Sequence, residues 1–334
     1  MPQMSPTSAF GELRPILLLF LIALIASAGA FAASEKAIKG EQMLQEAISK
    51  NDIRELSSFE MKASVRLDNH GHPVDGSYWL LWNGPDQWRE EITFPGYSEI
   101  QLASKDAISV KRTTEYMPWQ IHLLHNLFGY GQGLKLRENE RVKQIHNREI
   151  GAIKASCVEI AGKFVPREVC VDPSNGALVR ELPLVDANLT TVGLKEFPFS
   201  LSYVDHGKIL AVATITELRT PAQFSVSAFD PPAGGVSTPR CDGDNIRSGK
   251  LVTRVNPVYP AAQRMAHLQG TVKLYAVIGT DGMPHNLEVI SSVGPALDNS
   301  ALQAVQQWRY EPYMCKDVPV EVQTTVQVNY SLGH

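Results

Sequence analysis

Gly270-Thr271-Val272-Lys273-Leu274-Tyr275-Ala276-Val277-Ile278 is the stretch that decides the fold of the C-terminal part of the chain. Val272, Leu274, Ala276 and Ile278 alternate against Thr271, Lys273, Tyr275 and Val277, the period of two expected of a strand. The pair Asp281-Gly282 can turn the chain into a second strand, Leu287 to Ser292, so a β-hairpin is predicted. Upstream, Pro260 at a first helical position, followed by Ala261, Ala262, Gln263, Arg264, Met265 and Ala266, predicts a short helix ending before Gly270. Downstream, Leu297, Ala301, Ala304, Val305 and Trp308 share one helical face, with Asp298 as N-cap and a stop before Pro312. Val318 to Tyr330 is the final strand, giving the order helix, strand, strand, helix, strand.

Several strings here, in this order and spacing, resemble the TonB C-terminal domain. They are Asn256-Pro257-Val258-Tyr259-Pro260, Gln269-Gly270-Thr271-Val272, Asp281-Gly282, Leu297-Asp298-Asn299-Ser300-Ala301-Leu302, Gln307-Trp308-Arg309-Tyr310-Glu311-Pro312 and Val318-Pro319-Val320. The resemblance covers 249–334 and implies two helices on a three-stranded antiparallel sheet that binds a partner and catalyses nothing. The implied partner is an extended peptide of an outer-membrane TonB-dependent receptor. It would pair with unpaired backbone groups on Gln323, Thr324, Thr325, Val326, Gln327, Val328 and Asn329. The family's Gln-Pro-x-Tyr-Pro segment also contacts the receptor; the matching residues are Asn256, Pro257, Tyr259 and Pro260, with Asn in place of Gln. Trp308 reads as core. TonB transducers also carry a His in a membrane helix and a long Pro-rich spacer, whereas the first His here is His70 and a folded domain stands where the spacer would be. Force transmission from an inner-membrane motor is therefore not implied.

At 334 residues the chain is long enough for two domains, and 44% apolar with 20% charged residues is the composition of folded protein. A net charge of −4, with no Lys/Arg stripe, argues against nucleic acid as a partner. Arg14 precedes an uncharged stretch whose strongly apolar part, Ile16 to Ile25, is shorter than the roughly 20 residues of a membrane span. The run Ala30-Phe31-Ala32-Ala33 fits a cleavage site at Ala32 and Ala33. Residues 1–33 therefore read as a signal peptide, which implies export; together with the TonB resemblance this implies the periplasm of a Gram-negative-type bacterium. The alternative is an uncleaved inner-membrane anchor facing the periplasm, the one segment then in contact with the membrane. In an oxidising compartment, Cys157, Cys170, Cys241 and Cys315 favour disulfides, with free buried thiols as the alternative. Cys157 and Cys170 flank Val158 to Val169 as two strands of one hairpin would. Cys241 and Cys315 then form the second pair.

Residues 34–229 read as an antiparallel β-rich domain. Ser34 to Lys50 has the apolar period of an amphipathic helix. Short β-branched and aromatic runs follow: Ala63 to Leu67, Tyr78 to Trp82, Trp88 to Phe94, Ile100 to Leu102 and Ala107 to Lys111. A helix over Trp119 to Phe128 interrupts them. Strands resume at Val142 to Ile145, Ser156 to Ile160, Arg167 to Val171, Ala177 to Leu182, Lys195 to Tyr203 and Ala211 to Glu217. A leading helix before a curved meander, with Trp82 to Glu91 at its second turn, resembles the LolA/LolB-like lipoprotein-carrier fold, which implies a partly open barrel that cups an acyl chain. The plainer alternative is ordinary packing on both faces of the sheet. Asp230-Pro231-Pro232-Ala233-Gly234-Gly235 opens a linker over 230–248.

The fold class is therefore α+β, a curved antiparallel sheet with a leading helix plus the small TonB-type domain. No cofactor or metal is expected, and no catalytic motif is found. His122 and His125 read as a half-buried surface pair, His70 and His72 as turn residues, and Asp205-His206-Gly207 as a hairpin turn. Gly129, Gly131 and Gly133 follow a helix and lack phosphate-loop spacing. The chain reads as an envelope adaptor docking a receptor peptide in TonB-dependent transport; the alternative is a soluble periplasmic carrier of an apolar or lipid ligand that uses the TonB-like domain as its docking handle.

Overall fold

Short β-forming runs separated by turn formers pair most simply with their sequence neighbours, and the chain does so along most of its length. The computed structural model describes residues 35–129, 134–136, 140–162, 167–181, 184–192, 195–205, 207–241 and 245–332. The signal segment with Ala32 and Ala33, and likewise Gly131, Gly133 and His206, lie outside the described residues. In chain order the elements begin with α1 (35–51), β1 (Phe59–Asn69), β2 (His72–Trp82), β3 (Trp88–Phe94), β4 (Tyr97–Ala103), β5 (Ala107–Arg112) and α2 (Trp119–Phe128). There follow β6 (Arg141–Ile150), β7 (Ile153–Ala161), β8 (Arg167–Val171), β9 (Leu178–Glu181), β10 (Leu184–Val192), β11 (Lys195–Asp205), β12 (Lys208–Arg219) and β13 (Val236–Pro239). The protein is α+β, with mostly antiparallel sheets and few helices. By contacts it divides into two compact units, Met1–Lys50 with Gly133–Leu182, and Asn51–Gln132 with Pro183–His334.

In the first unit, β6 to β9 form an antiparallel meander in the order β9-β8-β7-β6. Leu44, Ala47 and Ile48 of α1 are buried, the face its periodicity predicts. Gly40 lies in this helix because a Cβ there would stand 2.6 Å from Val142 Cγ1. Cys157 of β7 lies directly opposite Cys170 of β8, and the two form a disulfide.

In the second unit the large sheet runs β13-β5-β4-β3-β2-β1-β12-β11-β10. Helix α2 packs on β1, β11 and β12, burying Ile121, Leu123, Leu124, Leu127 and Phe128, with the Phe128 ring stacked on Tyr78. The strands extend beyond the predicted runs because turns claim fewer residues than their polar composition suggests. Between β1 and β2 the turn shrinks to His70 and Gly71, both at positive φ, and Asp68 Oδ1 accepts from Gly71 N at 2.9 Å. Strand β10 was not anticipated: Asp186 and Asn188 break its alternation, and the register with β11 shifts around Asn188. Within 230–248, Val236–Pro239 are not free of the sheet but pair with Ala107–Val110.

The C-terminal part of this unit contains β14 (Ile246–Arg247), β15 (Leu251–Thr253), α3 (Ala261–Met265), β16 (Gly270–Ile278), β17 (Pro284–Ser291), α4 (Pro295–Val305), β18 (Arg309–Tyr310), β19 (Tyr313–Cys315), β20 (Val318–Val320) and β21 (Val322–Tyr330). Its principal sheet is three-stranded, β17-β16-β21, with the hydrophobic core between one sheet face and α4. Three details differ from expectation. Helix α3 has only five residues and none is buried, so α4 supplies the helical cover. Asp298 is not the N-cap: Gly294 is, at φ 152°, and Asp298 reaches back to accept from Val293 N at 3.2 Å and from Ser292 Oγ. The last strand also divides at Glu321 into β20 and β21. Cys241 and Cys315 form the second disulfide.

Candidate functional site

The residues expected to receive a peptide lie on β21, and the two edges of its sheet are unlike. β21 pairs with β16 in nine consecutive steps, from Gly270↔Tyr330 to Ile278↔Val322, with no shift of register. Among the described residues no strand pairs with its other edge. Val326, Val328 and Tyr330 are buried in the core, while Thr325, Gln327 and Asn329 are exposed. Only backbone can therefore be offered at Val326 and Val328. The opposite edge, β17, is broken by register shifts against β16, and Asn286 sits at φ 46°. Its Nδ2 donates to Tyr116 O at 2.8 Å. Bulges and side-chain cover of this kind blunt an edge, so β21 is the regular, open one.

Tyr259 meets the far end of that edge. Its ring lies edge-on to Tyr330 at 5.4 Å, and its hydroxyl donates to Leu268 O at 2.5 Å. Pro260 caps α3, and Pro257 is half-buried between the exposed Asn256 and Val258. Trp308 is core, its Nε1 donating to Val255 O at 2.9 Å.

The other face of this sheet carries what the sequence reading missed. Tyr275 and Val277 point away from the α4 side yet are only 1% and 0% exposed. Tyr275 is covered by Trp119 and His122 of α2, with ring centroids 5.2 and 5.4 Å away, and its hydroxyl donates to Met117 O at 3.1 Å. Around this contact Gln120 Nε2 donates to Glu288 Oε1 at 3.0 Å, and Tyr116 stacks on His285 at 4.0 Å. Arg112 Nη2 pairs with Glu321, the residue just before β21. A signal was present: a solvated strand face would be polar throughout, and the outward row of β16 begins with Thr271 and Lys273 but ends with Tyr275 and Val277.

His125 is not a surface partner of His122. Its Nδ1 lies 2.8 Å from Glu90 Oε1 and its Nε2 2.9 Å from Glu99 Oε1, with the imidazole 21% exposed. Burial pushes its pKa down, but the two carboxylates outweigh that and raise it to about 10. Burial pushes Glu99 up, yet His125 and Arg112 bring it below the ordinary carboxylate range. Tyr97 donates to Glu99 Oε2 at 3.0 Å and Tyr78 to Glu90 Oε2 at 3.1 Å. Desolvation, then the charge of His125, lowers His122 to about 4. The cluster thus sets the His125 imidazole between the carboxyl groups of Glu90 and Glu99. Sequence reasoning missed Glu90 and Glu99 because they come from different strands, remote from the helix.

Residues 255–332 match the family model of the Gram-negative bacterial TonB protein C-terminal. The chain is 32% identical over 80 residues to protein TonB of Vibrio cholerae, covering 24% of this chain and 33% of that protein. It thus spans about a third of the length of this curated relative. Among solved structures it is similar to a DUF1329 family protein from Desulfovibrio piger, with a TM-score of 0.41 and 10% identity over 58% of this chain and 97% of that one. It is also similar to a LolA superfamily protein from Nitrosomonas europaea, with a TM-score of 0.39 and 15% identity over 57% and 97%. No helix among the described residues is long and apolar enough to cross a membrane.

Proposed function

We propose that this is a cell-envelope adaptor of TonB type, exported to the periplasm, whose domain at 249–334 captures an extended peptide of an outer-membrane TonB-dependent receptor along the open edge of β21. The observation that carries the proposal is the contrast between the two edges of one small sheet: the outer edge of β21 is regular and has no partner strand among the described residues, whereas β17 is bulged and covered. In an antiparallel pair the backbone N–H and C=O groups of every second residue point outward, so Gln323 to Asn329 offer a ladder on which affinity does not depend on their own side chains. Asn256, Pro257, Tyr259 and Pro260 would supply side-chain contacts where the peptide leaves the strand. The likeness of 255–332 to TonB supports the same reading.

The test is a titration of the full chain with peptides from receptor N-termini, read by backbone amide shifts. Shifts gathered on Gln323 to Asn329 and around Tyr259 are expected. Saturable shifts confined to other strands, or no binding by any peptide, would remove the docking role. Stoichiometric lipid extracted from the purified protein would instead point to carriage of an apolar ligand by the N-terminal domain.

A further inference from the structure

We propose that His146, Cys157, Cys170 and Glu168 form a zinc site that the Cys157–Cys170 disulfide closes, so that the dithiol form of the protein binds one Zn²⁺ there. These residues lie outside everything the docking role uses. His146 on β6 is opposite Cys157 on β7, which is opposite Cys170 on β8. Glu168, two residues before Cys170, projects from the same face of β8. One ligand atom each from His146, Cys157 and Glu168 lies within 4.8 Å of the others, and the Cys170 sulfur is bonded to that of Cys157. Two thiolates, an imidazole and a carboxylate are a tetrahedral zinc donor set with bonds of about 2.0 to 2.3 Å. Two sulfurs on one zinc stand about 3.8 Å apart by that geometry, within reach of strand neighbours whose Cα atoms are 4.0 Å apart.

The polar atoms around the disulfide point the same way. Both cysteines are fully buried, and Ala155, Ile150 and Ile153 give them the apolar surroundings a purely structural disulfide needs. His146 and Glu168 are superfluous to such a bridge. Glu168 Oε1 accepts from His146 Nε2 at 3.1 Å and from Arg148 Nη2 at 3.0 Å. His146 Nδ1 and Glu168 Oε2, however, are both buried without a hydrogen-bond partner. The disulfide form thus leaves two buried polar atoms unsatisfied, and a metal ion held by the dithiol form would give both side chains a partner. In the dithiol form, zinc binding displaces one proton from each thiol and needs no redox partner. Oxidation removes two electrons and two protons from the same pair, forms the S–S bond and reduces a protein disulfide to its dithiol. The two closures are therefore mutually exclusive.

The experiment uses the full chain carrying Cys241→Ser and Cys315→Ser, so that only this cysteine pair remains, kept reduced and titrated with Co²⁺. One Co²⁺ per chain is expected, with near-ultraviolet thiolate-to-cobalt charge transfer that Zn²⁺ abolishes; the oxidised sample should show none. His146→Ala and Glu168→Gln should each weaken binding at least about tenfold, the lower bound seen even for outer-shell partners. Should the double variant fail to fold, reduced wild-type chain serves: Cys157→Ser should remove the charge-transfer band and Cys241→Ser should leave it. A folded, reduced protein that binds no Co²⁺, or binding indifferent to His146→Ala, would overturn the proposal.

Discussion

Replacing Tyr275 with Ala tests whether the outer face of the β17-β16-β21 sheet is covered in solution as it is in the structure. The side chain is 1% exposed between Trp119, His122 and the carbonyl of Met117. A buried aromatic removes about 150 to 250 Å² from water, worth roughly 4 to 6 kcal/mol at about 25 cal/mol per Å². A compact denatured state reduces that by about 10 to 40%, and aromatic-to-Ala truncations in cores cost about 3 to 5 kcal/mol. We expect Tyr275→Ala to destabilise the full chain by about 3 to 4 kcal/mol in urea unfolding followed by tryptophan fluorescence. Tyr275→Phe, which removes only the hydroxyl and leaves the Met117 carbonyl without it, should cost about 1 kcal/mol. A loss below about 0.5 kcal/mol for Tyr275→Ala, the size usual for surface substitutions, would mean the face is solvated and the contact with α2 does not hold the module.

The disulfides should differ in weight. Cys241 and Cys315 are 74 residues apart and Cys157 and Cys170 are 13 apart; chain entropy then assigns about 4.5 and about 3 kcal/mol respectively. Urea midpoints of the two double Cys→Ser variants, measured after metal removal, should fall in that order. The His125 cluster gives a pH dependence of defined sign. With its pKa raised from 6.5 to about 10, His125 contributes stability that is complete below about pH 6.5 and is lost as pH rises to about 10. Glu99, held below its usual value, acts oppositely and withdraws its contribution in acid. Unfolding free energy measured from pH 6 to 10 should therefore decline in wild type, with a flatter profile in His125→Gln; identical profiles would show that the imidazole is not held as a cation.

How far the sequence could be read depended on whether the decisive contacts were local. The Val272-Leu274-Ala276-Ile278 alternation, the Asp281-Gly282 turn and the helical face of Leu297 and Ala301 are short-range patterns, and they place the three-stranded sheet and its covering helix. Cys157 and Cys170 were legible as a pair for the same reason, since one hairpin brings them together. Strand β10 was missed because Asp186 and Asn188 imitate a loop. The burial of Tyr275 and the carboxylates around His125 were missed because their partners, Met117, Trp119, Glu90 and Glu99, lie on other elements. No window of sequence contains both sides of such a contact. The open edge of β21 is intermediate: its strand was legible, but its being preferred to β17 depends on register shifts visible only in three dimensions.

The covered face and the open edge are physically connected. Tyr275 is the direct cross-strand partner of Thr325, and Val277 that of Gln323. Tyr275, the residue that α2 covers on β16, is therefore paired with the strand proposed to receive the peptide. Strand addition orders backbone and side chains, at about 0.5 to 1.5 kcal/mol for each side chain immobilised. An edge already held straight by its neighbour has paid less of that on binding. Tyr275→Ala should then weaken the receptor peptide about two- to tenfold, the affinity equivalent of such an ordering cost, although Tyr275 faces away from the docking edge. The amide titration that tests docking reads this directly. An unchanged Kd alongside lost stability would show that α2 secures the module without shaping its edge, and a larger loss than tenfold would mean that the clamp is needed for the edge to exist at all.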